Sequence, residues 1–206
     1  MEMKREKICE SGFWTAKKRY ATLVWDEKGV RFSEPELMAT GLEIVRTSTP
    51  KVVKAYLREL LTIILQEPSK ISDYIKEVRK KFYAEPVEAI STPTSANNLM
   101  KYDNGNGTVA PKCPAHVRGA ILFNKFFGTA MTSIKEGEKI KYVYLKMPNP
   151  IQSDVVSFIR KFPKKLLPYV DYSLQFDKKF GDVAASLCKT LNVESKKECV
   201  SLDDLF

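Results

Sequence analysis

The sequence predicts an α+β fold, and three observations lead there. Residues 13–25 alternate like a strand and run into a turn. Residues 50–82 carry two successive helical stripes bounded by prolines. A second alternation, at 139–146, lies between two further helical stretches. Strands too few to form a full sheet alone are thus followed by a mainly helical region with a small β element.

Taken in order, the first segment places Tyr20, Thr22 and Val24 on one face and Ala21, Leu23 and Trp25 on the other. That reads as one strand with both faces at least partly covered. Asp26-Glu27-Lys28-Gly29 is turn material, and Val30-Arg31-Phe32 returns as the partner strand. Residues 42–46, entered through Gly41, are a third strand candidate. Ser48-Thr49-Pro50 opens a helix, because a hydroxyl can cap free N–H groups and proline suits a first turn. Val53, Tyr56, Leu57, Leu60 and Ile64 then recur at helical spacing up to Pro68.

A second helix begins at Ser69, with Ile71, Ile75, Val78 and Phe82 as its apolar stripe; Lys76, Arg79 and Lys80 lie off it, facing solvent or a phosphate backbone. Residues 91–114 read as loop, with Asn97-Asn98 and Asn104-Gly105-Asn106-Gly107 as turns. Residues 115–127 are helical, and 139–146 form a strand with Ile140, Tyr142, Tyr144 and Lys146 on one side. Residues 151–168 fit neither period. A closing helix over 171–191 has Leu174, Phe180, Val183 and Leu187 as its core.

Lysine and arginine number 34 against 25 acids, a formal net charge of +9. Such a surplus favours a polyanion, with DNA, RNA and acidic membrane surfaces as candidates, while a merely solvated basic surface is the plainer reading. A hydrophobic content of 44% argues against disorder. No apolar run approaches the ~20 residues that span a bilayer, and the start, with Lys4, Arg5 and Lys7, is not signal-like, so the chain reads as soluble and intracellular. Cys9, Cys113, Cys188 and Cys199 form no CxxC pair, and His116 is the only histidine, which gives a zinc site poor support. Reduced, partly buried thiols are the expectation. Walker A, GxSxG and Ser/His/Asp patterns are absent from the sequence.

Lys17-Lys18-Arg19-Tyr20 is the most informative stretch. Three adjacent cations on one strand project to alternating sides, next to Trp14 and Trp25, which is costly unless an anion compensates them. A phosphate backbone does so, and a long cation also reaches minor-groove acceptors. An exposed, charged strand end is the other reading.

Gly12-Phe13-Trp14-Thr15-Ala16-Lys17-Lys18-Arg19-Tyr20-Ala21 resembles the KKRY segment of T-even-type phage family B replicative DNA polymerases. The resemblance continues through Gly41-Leu42-Glu43-Ile44-Val45-Arg46 and Ser48-Thr49-Pro50, then Ser95-Ala96-Asn97-Asn98 and Lys101-Tyr102-Asp103. Lys112-Cys113-Pro114-Ala115-His116-Val117-Arg118-Gly119 completes it. Each segment is a weak match, but the ordered set over most of 11–126 is strong, and the similarity thins between 127 and 180.

The resemblance implies a C-terminal polymerase fragment: the end of the palm at 1–47, the thumb at 48–200, and a clamp-binding tail at 201–206. Lys17, Lys18, Arg19 and Tyr20 then contact the primer–template duplex near the primer end. Arg46, Thr47, Ser48 and Thr49 match the palm–thumb junction, which meets primer-strand phosphates. A helix N-terminus near Pro50 suits an anion independently. Lys101, Lys112, His116 and Arg118 fall in thumb segments that grip the duplex, although His116 reads equally well as a packed loop residue. Binding of this kind is mostly sequence-neutral and steeply salt-dependent.

Leu202 and Leu205, three apart, share a side in one helical turn, with Phe206 beside them. Such anchors suit a hydrophobic groove on a partner, and similar tails in the family bind the ring-shaped sliding clamp; a frayed terminus is the alternative. The resemblance places the metal-holding aspartates, and the two magnesium ions they bind, in an N-terminal part that precedes the KKRY segment. The expectation for this chain is therefore no catalytic residue, no metal ligand and no cofactor of its own. Its expected partners are primer–template DNA, an N-terminal polymerase fragment and the sliding clamp, without a membrane, in the host cytoplasm. Met1-Glu2-Met3-Lys4 reads as a natural start, which favours a separate subunit of a split polymerase over a piece cut from a longer chain. The competing function is a stand-alone duplex-binding or regulatory protein derived from a thumb. If a missing part covers residues 1–47, that region exposes apolar strand surface.

Overall fold

A computed structural model describes residues 6–105 and 108–190. The chain is mixed α+β, with two three-stranded antiparallel sheets and the helices between and after them. The first sheet runs β1 (Lys7–Ala16), β2 (Arg19–Glu27), β3 (Val30–Thr40) in that spatial order. The segment expected as one strand over 13–25 is two strands. The chain reverses at Lys17–Lys18, with Lys18 at φ 62°, and sets Phe13 opposite Ala21 and Trp14 opposite Tyr20. No glycine or asparagine marks that turn, so alternation on its two sides reads as continuous. The turn at 26–29 forms as expected, with the Gly29 N–H donating to Asp26 Oδ1 at 2.9 Å.

The strand expected at 42–46 does not form. Glu43–Val45 is a single 3₁₀ turn, and the third strand is β3, which continues through Pro35 to Thr40. Gly41, at φ +66°, ends the strand, and a Cβ there would come within 2.2 Å of the Lys18 carbonyl oxygen. The hairpin tip and the 43–45 turn are therefore held against each other by a position that tolerates no side chain.

Phe13, Ala21, Leu23 and Leu37 share one core with helix α1 (Lys51–Gln66), whose buried residues are Val53, Leu57, Leu60, Leu61 and Ile64. That stripe matches the predicted spacing. The predicted hydroxyl cap does not form, because Thr49 Oγ1 donates instead to the Glu43 carbonyl at 2.8 Å. One 3₁₀ turn (Pro68–Lys70) leads into α2 (Ile71–Ala84), which buries Ile71, Tyr74, Val78 and Phe82, and α3 (Val87–Ile90) follows.

The stretch expected as loop holds β4 (Thr92–Ser95) and the short α4 (Leu99–Tyr102). β4 is an edge strand and so accommodates Pro93. The helix expected at 115–127 is α5 (Ala115–Phe127), and β5 (Lys139–Tyr144) forms the middle of the second sheet. β6 (Val155–Phe158) lies within the stretch that fitted neither period, because all four of its residues are buried and nothing alternates. α5 lies directly on β6. At Gly119 a Cβ would approach Ser157 N and Oγ to 2.8 Å, so helix and strand backbones nearly touch. Ser157 Oγ donates across this contact to the His116 carbonyl at 2.7 Å.

The closing helix is broken into α6 (Tyr172–Phe176), a π turn (Asp177–Gly181) and α7 (Asp182–Thr190). Phe180 and Leu187 are buried as expected, Val183 is half-buried, and Leu174 is exposed while Gln175 and Phe176 go inside. A π turn adds residues to the turn and so rotates the upstream stripe out of the register that uniform helical spacing implies.

Two apolar clusters result, one around α1, α2, α6 and α7 and one around α5 and the second sheet. Tyr172 packs against both. The fully buried Gln175 links them: its Nε2 donates to the Ile90 carbonyl at 2.8 Å, and its Oε1 lies 3.4 Å from Tyr144 N. Among the described residues no helix is long and apolar enough to cross a membrane. Cys113 and Cys188 are buried free thiols, and Cys9 is exposed.

Candidate nucleic-acid interface

The first group of predicted residues converges at the β1–β2 tip. Lys17 and Lys18 are exposed at the turn, so the cost of burying three cations on one strand does not arise. Arg19, on β2, extends its Nη2 to Glu43, at 3.0 Å from Oε1 and 3.3 Å from Oε2. Arg46 Nη2 reaches the same Glu43 oxygen at 3.4 Å. One carboxylate thus bridges two arginines that lie 27 positions apart in the chain as numbered, joining the KKRY segment to the 46–49 segment. Arg19 Nε is enclosed without an acceptor, so this guanidinium keeps unused donor capacity.

Thr47 and Ser48 are exposed and Thr49 is half-buried, leading directly into α1. No side chain caps that helix, and its first bonded amide is Lys54 N, donating to Pro50 O at 2.9 Å. The N–H groups of the first turn therefore point outward with the positive end of the helix dipole. Two exposed lysines, two arginines sharing one carboxylate and an open helix N-terminus meet in one region. Tyr20 stacks with Trp14 beside it, ring centroids 6.2 Å apart.

The second predicted group sits on the other core. Lys101 is exposed on α4, and Lys112 is exposed at φ 60° just before α5. α4 packs against α5. His116 lies in the first turn of α5, half-buried, with its ring 6.0 Å from that of Tyr142. Burial pushes the His116 imidazole below its usual range, so near neutrality it offers an N–H donor rather than a charge. Arg118 is already engaged: its Nη2 lies 2.8 and 2.9 Å from the two Asp154 oxygens. This pair fixes α5 to the segment entering β6, so Arg118 serves the fold whatever else it contacts.

Sequence spacing missed one neighbour. Lys179, in the π turn, places Nζ 3.2 Å from the Tyr142 hydroxyl and 5.1 Å from its ring centre, and burial lowers its pKa. Lys179, Tyr142 and His116 thereby form a second cationic and aromatic surface. The signal was the paired Lys178-Lys179, but only the π turn shows which of them faces β5. Arg79, expected to face solvent or phosphate, instead covers the Phe176 ring at 4.6 Å and contacts Asp177. Among the described residues no His, Cys, Asp and Glu side chains gather into a metal-holding group, so the residues described here do not fit a polymerase metal pair and no metal-dependent step is assigned to them. Leu202, Leu205 and Phe206 lie outside the described residues.

Backbone-directed cations on a two-core α+β scaffold define a nucleic-acid-binding class of protein, and sequence comparison makes the assignment specific. The model of DNA polymerase family B matches residues 1–192. The chain belongs to that family. It is similar to the DNA-directed DNA polymerase of Enterobacteria phage T4, 33% identical over 203 residues, and to that of Escherichia phage RB69, 35% identical over 204. Each alignment covers 95% of this chain and 22% of the relative. A DNA polymerase of Thermococcus aggregans is 26% identical over 182 residues, 85% of this chain and 9% of its own length. The chain is thus a polymerase fragment in extent.

Proposed function

We propose that this chain supplies the end of the palm (1–47), the thumb (48–200) and a clamp-binding tail (201–206) of a family B DNA polymerase. It grips primer–template duplex and completes an active enzyme with an N-terminal part that carries the metal-holding aspartates. The observation that supports this best is the Arg19–Glu43–Arg46 bridge. It sets two segments with polymerase resemblance side by side, next to exposed Lys17 and Lys18 and the open start of α1. Phosphates approaching there meet charges and backbone donors that require no rearrangement. Lys101, Lys112, His116 and Lys179 extend the grip along the duplex, and Leu202, Leu205 and Phe206 hold the clamp. The setting is the cytoplasm of a phage-infected host.

The test is binding to a primer–template duplex at low and moderate salt, with Lys17→Ala and Lys18→Ala in parallel. Affinity falls steeply with salt, and each substitution weakens binding and reduces the salt slope by about one. Binding indifferent to salt and to both lysines would remove the hairpin tip from the interface. Primer extension recovered only on mixing with the N-terminal part then supports the polymerase subunit. Duplex binding without effect on a polymerase supports the stand-alone binding protein.

A further inference from the structure

Within the first sheet the two edges differ. β3 carries Pro35, which cannot donate to a neighbouring strand, together with Arg31, Glu34 and Glu36. Charges and proline are the usual means by which an edge resists pairing. β1 has no proline, and it exposes Trp14 at 64% and Ile8 at 42%. The sheet's other apolar side chains, Phe13, Ala21, Leu23 and Leu37, all go into the core with α1.

Trp14 is also held in place. A Cβ on Gly12 would lie 3.4 Å from its Cη2, so the indole lies back over the Gly12 backbone on the side of Thr22. Tyr20 stacks on it from β2. A large, exposed indole fixed in one orientation has lost its rotamer freedom before anything binds, which is what makes tryptophan a dominant anchor at interfaces.

We infer that β1 is an assembly edge: a strand from the N-terminal part of the polymerase adds to it, and Trp14 is the anchor of that contact. This rests on the reading of the chain as one part of a divided polymerase. The occupant follows from extent, since the relatives carry more than three quarters of their length outside the matched stretch. That remainder needs a surface to dock on, and β1 is the edge left open for it. The main-chain edge supplies hydrogen bonds, and Trp14 supplies the buried apolar area.

The experiment mixes the full 206-residue chain with its purified N-terminal polymerase part. It measures assembly by pull-down and exchange of backbone amides by mass spectrometry, for wild type, Trp14→Ala, Trp14→Phe and Lys17→Ala/Lys18→Ala. Circular dichroism confirms that each variant is folded, which the exposure of Trp14 favours. Assembly weakens at least tenfold in Trp14→Ala, recovers in part in Trp14→Phe, and is unchanged in the lysine variant. Exchange slows in residues 7–16 on assembly and not in 30–40. Equal assembly of wild type and Trp14→Ala overturns the inference and leaves the polymerase reading standing. A loss of duplex binding by Trp14→Ala alone, with assembly intact, reassigns Trp14 to DNA and overturns it too. No assembly by wild type sinks the divided-polymerase reading and this inference with it.

Discussion

The two sheets have the same strand count and opposite finish. In the second, β6 buries all four of its residues, and α5 lies so close that Gly119 nearly touches the strand backbone. In the first, α1 covers one face, while β1 and the start of β3 leave Ile8, Trp14 and Val30 in solvent. A sheet that buries its central residues on both sides is complete as a folding unit. A sheet with a held but exposed indole on an unguarded edge is complete only in company. The difference separates the part of the molecule built for its own stability from the part built for contact.

Truncating the cores puts the largest load on this comparison. Phe82→Ala and Phe158→Ala each remove a fully buried ring from a different cluster, at about 3–5 kcal/mol apiece. Chemical denaturation of both variants shows one shared transition if the clusters are coupled. Two separated transitions would mean that the halves are independent domains. Gln175→Leu addresses the coupling itself. Losing its amide leaves the Ile90 carbonyl and Tyr144 N–H without that partner, at a cost of about 1–3 kcal/mol, and the transition broadens or splits. A change within error would show that packing around Tyr172 suffices to join the halves.

Smaller effects belong to the surface of the complete half. Arg118→Ala breaks a partly exposed pair with Asp154 and costs only about 0.2–1 kcal/mol in thermal unfolding. A larger loss of duplex affinity than of stability would assign Arg118 a DNA contact as well. His116 gives the smallest signal. Its folded pKa lies below the unfolded one, so the unfolded chain binds more protons in between, and stability falls as pH drops through that window. His116→Phe flattens stability against pH below about 6.5, the unperturbed histidine value. A slope that persists unchanged in this variant would place the titration elsewhere.

Helices were the most legible part of the sequence. The stripes of α1 and α2 and the extent of α5 follow from spacing and from Pro50, Pro68 and Pro114, because a helix states its period in every residue. The misses share a cause: the deciding feature was not periodic. The β1–β2 turn depends on Lys18 taking a positive φ, β6 is buried on both faces, and the π turn shifts a stripe that uniform spacing runs straight through. For the candidate site, the cations were visible as residue types, but the bridge through Glu43 was not. It depends on the antiparallel register that brings Tyr20 opposite Thr40 and hence Arg19 beside the turn that follows. Lys179 was missed for the same reason, since its neighbour Tyr142 is 37 residues away.

Gly41 gives that bridge its dimension. With the Lys18 carbonyl 2.2 Å from where a methyl group would stand, the gap between the hairpin tip and the arginine turn is set by the absence of one carbon atom. The position works as a caliper: opening its jaws by even a methyl's width would part Arg19 from Arg46 without touching a charge. The pitch at which this surface presents its cations to a regularly spaced polyanion is thus written in a residue that bears none.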